Sequence, residues 1–147
     1  MGYRRLFIMR KDLNMSPGKL AAQVAHCAEA YWTNMIRGNI QEDWFFREGF
    51  GSYKVNFDVS KDIYNNYINA SFTKTICGAK NKYQLLKAKE KAEELWLIEG
   101  RDFGLIYDNC LTELTPEEEN GTCLTGIWFA PLPDEIAHQI SKKYQLL

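Results

Sequence analysis

The sequence predicts an α/β protein, a single three-layer α/β/α sandwich on a mixed sheet of about four strands with helices on both faces. Three observations predict it. Short apolar runs alternate with amphipathic stretches of helical period; Ser, Pro, Gly and Asn stand at the joints; and apolar residues make up 46% of the 147, enough for one core. No linker, repeat or low-complexity tract divides the chain, so residues 1–147 read as one domain with an inserted segment at about 38–71.

The first element is a strand at residues 3–9, rich in Leu, Phe and Ile. A helix follows, with Ser16 as N-cap and Pro17 suited to its first turn. Leu20, Val24, Cys27 and Tyr31 share its core face, while Lys19, Gln23 and His26 fall within about 60° of one another on the opposite side. Ala22 and Ala30 share that polar stripe, so nothing bulky stands between it and a ligand. Some forty residues then precede a strand at 73–77. They carry Trp32, the cluster Trp44, Phe45 and Phe46, an extra strand expected at 53–59 and a short helix near 62–70. Residues 38–51 are expected to be the most mobile part. A long helix should span 82–99, with Leu85, Ala88, Ala92, Leu95 and Trp96 inward and Gly100 as its stop. A buried strand at 103–107 ends on Asp108, and an acidic, Pro-containing loop leads to a strand at 123–129 that can pair antiparallel with it. A last helix should begin after Pro133, with Ile136 and Ile140 inward, and end near Tyr144.

Chemistry concentrates in two places. A helix N-terminus at the carboxyl end of a strand offers free N–H groups and a favourable field for an anion, and Lys19 adds a full positive charge. Asp108 emerges at the end of another strand, and open α/β sheets place ligand sites at such ends. Taken singly, a first-turn lysine is commonly solvated, a helical histidine commonly a packing residue and a strand-end aspartate commonly a turn residue.

Net charge is −1, so the chain lacks the basic signature of tight, nonspecific nucleic-acid binders. A local patch could use Arg4, Arg5, Arg10, Lys11 and Lys19, with Lys74, Lys80 and Lys82 nearby, provided Glu117, Glu118 and Glu119 point aside. The cysteines at 27, 77, 110 and 123 form no CxxC pair, which suggests neither zinc nor a dithiol centre, and no cofactor or metal is expected. Cys110 reads as a small buried thiol rather than a nucleophile. No signal peptide or membrane-spanning run is evident, and the cytoplasm is the expected compartment.

The segment Met15 through His26 (MSPGKLAAQVAH), the DNCLT run from Asp108 to Thr112, Pro116, and the Gly121-Thr122 pair leading into Leu124-Thr125-Gly126-Ile127 resemble the type 2 peptidyl-tRNA hydrolase family. The resemblance runs from about Leu6 to the C-terminus, interrupted in the middle. It implies a carboxylic-ester hydrolase that frees tRNA from a peptidyl or N-blocked aminoacyl group, with peptidyl-tRNA as partner, no membrane and a homodimer. Position by position, the family's catalytic lysine falls on Lys19, its aspartate on Asp108 and its two hydroxyls on Thr112 and Thr122. Gly18, Gln23, His26, Asn109, Arg10 and Lys11 are the substrate-binding candidates. The implied reaction is hydrolysis by water without metal or covalent intermediate. Asp108 would orient or deprotonate the water, Lys19 would offset charge on the tetrahedral intermediate or keep Asp108 ionised, and the threonines would position water or ester. His26 is a second candidate base. Since a paired lysine weakens the carboxylate as a base, Asp108 is better read as an orienter.

Three departures stand out. Asn109, Cys110 and Leu111 replace an Ala-Gly-Arg common in the family; the loop before Thr122 holds three glutamates; and Trp128-Phe129-Ala130-Pro131 replaces a common Gly-Pro. Two rival functions stay open: a noncatalytic tRNA- or protein-binding module, and a hydrolase of another small ester or amide with Trp44 to Phe46 closing over the pocket. The same aromatic cluster could instead pack on the core or meet a second subunit.

Overall fold

The computed structural model describes residues 2–41 and 51–147. In chain order the elements are β1 (Tyr3–Arg10), α1 (Pro17–Gly38), β2 (Ile40–Gln41), β3 (Lys54–Val55), α2 (Lys61–Ile63), β4 (Lys74–Ala79), α3 (Lys82–Glu94), β5 (Phe103–Asp108), β6 (Cys123–Phe129), β7 (Leu132–Pro133), α4 (Asp134–Ser141) and β8 (Gln145–Leu146).

Strand β1 explains the layering. Successive side chains of a strand point to opposite faces, and here both faces are apolar. Leu6 and Ile8 enter one core with Leu85 and Ala88 of α3 and Ile140 of α4. Phe7 and Met9 enter the other with Cys27 and Tyr31 of α1 and Trp128 of β6. A strand covered on both sides belongs in the middle of a sheet, and the order β5-β6-β1-β4-β8 puts it there. Strand β4 runs parallel to β1, whereas β6 is antiparallel to both β1 and β5. The expected α/β architecture, mixed sheet and two helical faces are all present.

The sheet has six strands rather than about four, because two two-residue strands join it: β7 beside the start of β1 and β8 beside β4. Two residues carry no detectable period, so neither was visible in the sequence. The strand expected at 53–59 shrinks to Lys54–Val55, which pairs with Ile40–Gln41 in a separate ribbon. Lys54 is exposed and Val55 only half-buried, so little of this segment packs on the core. The expected short helix begins at Lys61, capped by the Ser60 hydroxyl, and continues as a wider π turn over Tyr64–Ile68 that buries Tyr67. The cluster Trp44, Phe45 and Phe46 lies outside the described residues. No described helix is long and apolar enough to cross a membrane.

Helix α3 stops at Glu94, not Glu99. Trp96 adopts a left-handed φ of 64°. Its N–H donates to the Glu93 carbonyl, and the Leu97 N–H reaches back to Ala92 at 3.0 Å. This paired closure ends a helix from within. It packs Leu97 on the core and leaves Trp96, expected inward, 89% exposed. Gly100, expected as the stop, instead turns the chain into β5 at φ 90°. Helix α4 ends at Ser141, and Tyr144 anchors the tail by donating its hydroxyl to the Gln84 carbonyl at 2.6 Å.

Candidate active site

The carboxyl ends of β1 and β5 lie on the same side of the sheet, and α1 starts from a loop beside them. Ser16 caps α1 as expected, its hydroxyl accepting from the Lys19 N–H at 3.3 Å. That fixes the first turn and sends the Lys19 side chain toward β5. Lys19 Nζ donates to Asp108 Oδ1 at 2.8 Å and to Thr112 Oγ1 at 3.2 Å. One turn on, Gln23 Nε2 donates to the same Oδ1 at 3.0 Å. The second oxygen, Oδ2, accepts from the Cys110 N–H at 2.8 Å. Cys110 can turn its amide back because it sits at a left-handed φ of 58°, at the position where many family members carry glycine.

The side chains of Lys19 and Asp108 are 14% and 11% exposed, which dries the pair without sealing it from solvent. Burial pushes the Asp108 carboxyl up, but the Lys19 ammonium, the Cys110 amide and Gln23 together outweigh it and hold the carboxyl below its ordinary range. The carboxylate is therefore firmly ionised at neutral pH. Gln23 is itself held: Thr125, fully buried in β6, donates its hydroxyl to Gln23 Oε1 at 2.7 Å. Sequence reasoning missed Thr125 because a threonine inside an apolar strand carries no period or motif of its own.

The other candidates are distributed around this cluster. A side chain on Gly18 would meet nothing within 4 Å, so the approach to Lys19 is open. His26 and Asn109 are exposed and line a groove beside β5. His26 makes no hydrogen bond to Asp108 or Lys19. Thr122 does not bond to the cluster either; its hydroxyl and N–H both engage Asn120 Oδ1, at 2.6 and 3.2 Å. Leu111, replacing the basic residue common at this position, is 86% exposed.

Two expectations about charge are corrected. The helix N-terminus, read as a place for a ligand anion, already holds one: Glu113 accepts from the Ser16 N–H and hydroxyl. Those bonds keep its carboxyl below the usual range. Two of the three loop glutamates do not point aside. Glu117 pairs with Arg10 at 2.5 Å, and Glu118 pairs with Lys82. Arg10 also engages Asp12 at 2.8 Å and the Leu124 carbonyl at 3.0 Å, so its guanidinium is buried and saturated rather than offered to phosphate. Arg5 is likewise internal, donating to the carbonyls of Phe129, Ala28 and Cys27 under the rings of Phe7 and Tyr31. These partners are distant in sequence, and composition gives no sign of them. Lys11 stays exposed, its stem lying over Gly78, whose missing side chain makes the room.

Residues 3–147 match the protein family described as Peptidyl-tRNA hydrolase PTH2. A protein of Thermococcus sibiricus named peptidyl-tRNA hydrolase is 30% identical over 145 residues, covering 99% of this chain and 98% of that one. Proteins of the same name from Thermococcus onnurineus and Thermoplasma acidophilum are 28% and 27% identical, each over at least 98% of this chain and 97% of their own.

Proposed function

The chain belongs to the peptidyl-tRNA hydrolase PTH2 family, and we propose that it cleaves the ester between a peptidyl group and the ribose of tRNA with Asp108 and Lys19 as its central pair. The observation that carries this reading is the Lys19–Asp108–Thr112–Gln23 cluster at an open strand end.

Counting donors and acceptors assigns the roles. A carboxylate has about four acceptor sites and an ammonium three donors. Oδ1 is filled by Lys19 and Gln23, while Oδ2 takes only the Cys110 N–H. Oδ2 thus keeps a site for a water proton. Lys19 has given two N–H groups, to Asp108 and Thr112, and keeps a third for the oxyanion that develops as water adds to the ester carbonyl. A carboxylate held this acidic orients the water better than it deprotonates it. The new bond joins water oxygen to the carbonyl carbon, the bond to the ribose oxygen breaks, and that oxygen takes up the proton the water gives away. Thr112 holds the ammonium in line. Thr122 acts in this scheme only if substrate draws its hydroxyl from Asn120, and His26, which makes no hydrogen bond to Asp108 or Lys19, is not needed as the base. Phosphate contacts fall to Lys11 and Lys80, which make no ion pair among the described residues.

On this reading the protein works in the cytoplasm as one domain over residues 1–147 and as a homodimer, which sedimentation tests. Turnover of N-acetylaminoacyl-tRNA, compared with the same aminoacyl group as a simple ester, tests the activity. Release from tRNA alone supports the proposal, release from both marks a general esterase, and release from neither marks a noncatalytic module.

A further inference from the structure

The polar stripe of α1 does not end at the catalytic cluster. After Lys19 and Gln23 it continues through His26, Ala30 and Asn34 at helical spacing, and these three form one wall of a groove of about 780 Å³. Its floor is β5 from Gly104 to Tyr107, and its near end is Asn109, one residue past Asp108. Toward the far end Asn34 Nδ2 donates to the Gly100 carbonyl at 3.4 Å, and the lining continues to Arg37.

Two features of this groove are unsatisfied. Strand β5 is the edge of the sheet. The Asp102 carbonyl accepts from the Ala130 N–H on the inner side, and the Phe103 carbonyl accepts from the Gly100 N–H on the outer side. Main-chain groups of successive strand residues alternate between the two edges, so those of Leu105 and Tyr107 face outward, where no described strand pairs with them. The second feature is Trp128. The residue is 2% exposed, its indole N–H has no acceptor among the described residues, and it is not sealed from solvent. Its Nε1 would lie 2.5 Å from a side-chain carbon on Gly104, so the bare glycine is the window through which the indole edge faces the groove.

Resting on the hydrolase reading above, we infer that this groove holds the peptide half of the substrate as an added strand on the free edge of β5. The peptide on a peptidyl-tRNA has no fixed sequence, so a site that accepts all of them must bind the main chain, and an open strand edge does that. Continuity fixes the direction. The ester end lies at Asp108, so the preceding peptide residues run back toward Gly104, parallel to β5. In a parallel ladder one peptide residue donates to the Leu105 carbonyl and accepts from the Tyr107 N–H. The Trp128 indole N–H then meets a peptide carbonyl further along. The stretch from Gly104 to Asp108 spans about 13 Å at ~3.3 Å per residue, room for three or four peptide residues.

The test compares N-acetylaminoacyl-tRNA with di-, tri- and tetrapeptidyl-tRNA, and repeats the tripeptide with each peptide nitrogen methylated in turn. We expect kcat/KM to rise about tenfold or more with length and level off at three or four residues, and methylation at one nitrogen to lower it about five- to tenfold, the effect of one lost hydrogen bond. Ala30→Tyr, which fills the groove, should bring the ratio of long to short substrates close to one. Equal kcat/KM at every length, with good turnover of the N-acetylaminoacyl substrate, overturns the groove and leaves the hydrolase standing. No turnover of any substrate overturns both. If Ala30→Tyr instead converts a dimer to a monomer and leaves the length preference intact, the groove belongs to a second copy of the chain and the inference fails. The methylated substrates use the unaltered protein, so the result stands even if the variant folds poorly.

Discussion

Gln23 is the residue on which the geometry of the site turns, and Gln23→Met is the sharpest perturbation of it. Methionine keeps the length and unbranched shape of glutamine, so packing at this 1% exposed position is largely retained. Two hydrogen bonds are lost: the 3.0 Å bond to Asp108 Oδ1 and the 2.7 Å bond from Thr125. A bond to a charged group contributes about 1.5–3 kcal/mol and a neutral one about 1 kcal/mol. The second loss is softened because the Thr125 hydroxyl also lies 3.3 Å from the Ile106 carbonyl and can donate there. The expected net cost is about 2 kcal/mol. At about 0.3 kcal/mol per kelvin of unfolding entropy for a chain this long, the Tm should fall by about 6 °C. Activity should fall about tenfold, since Asp108 loses one of the three donors that fix its rotation. The effect has a pH signature. The folded pKa of Asp108 lies below its unfolded value, so stability contributed by the ionised form is fully present above the unfolded pKa and fades as pH falls through the folded one. Urea unfolding of wild type and variant, stepped from pH 7 down through the carboxylate range, should show the gap narrowing at the acid end. A cost under 0.5 kcal/mol, about the level of an ordinary surface change, or a gap that ignores pH, would refute the idea that Gln23 holds the carboxylate.

Replacing Lys19 or Asp108 with Ala should cut peptidyl-tRNA turnover at least tenfold while circular dichroism stays native, and the double variant should be little worse than the worse single one. Arg10→Met should lower stability by about 2 kcal/mol in urea and make the loop from 109 to 122 cleavable by protease, because Glu117, Asp12 and the Leu124 carbonyl lose their common donor; unchanged protection would show that the loop is held otherwise. Trp96→Gly should raise Tm by about 3 °C, since an exposed residue at φ 64° carries about 1 kcal/mol of backbone strain that glycine does not. Substrate KM should rise only shallowly with salt, and Lys11→Gln should reduce the log–log slope by about one contact while Arg10→Gln should not change it.

The sequence by itself determined the layering and half of the candidate site. Leu6, Phe7, Ile8 and Met9 are apolar in succession, a short run that fits a strand buried on both faces. The spacing of Lys19, Gln23 and His26 fixes their common stripe, because helical geometry is local. That spacing did not show that Gln23, expected on the open side, is buried with Cys27 and Tyr31 once β5 and β6 pack against it. Asp108 was legible as the end of an apolar run. The tertiary structure alone decided which charges are free. Arg10 meets Glu117 across 107 positions and Glu113 reaches Ser16 across 97, pairings that depend on where a loop lands and not on any neighbouring residue. It also decided the end of α3, where the gain from folding Leu97 onto the core outweighs a strained Trp96 and overrides the glycine four residues later. Short elements such as β7 and β8 exist only because long strands are there to receive them. Periodicity records what a residue needs from its own element; ion pairs, edges and grooves record what the elements do to one another, and that appears only once they are packed.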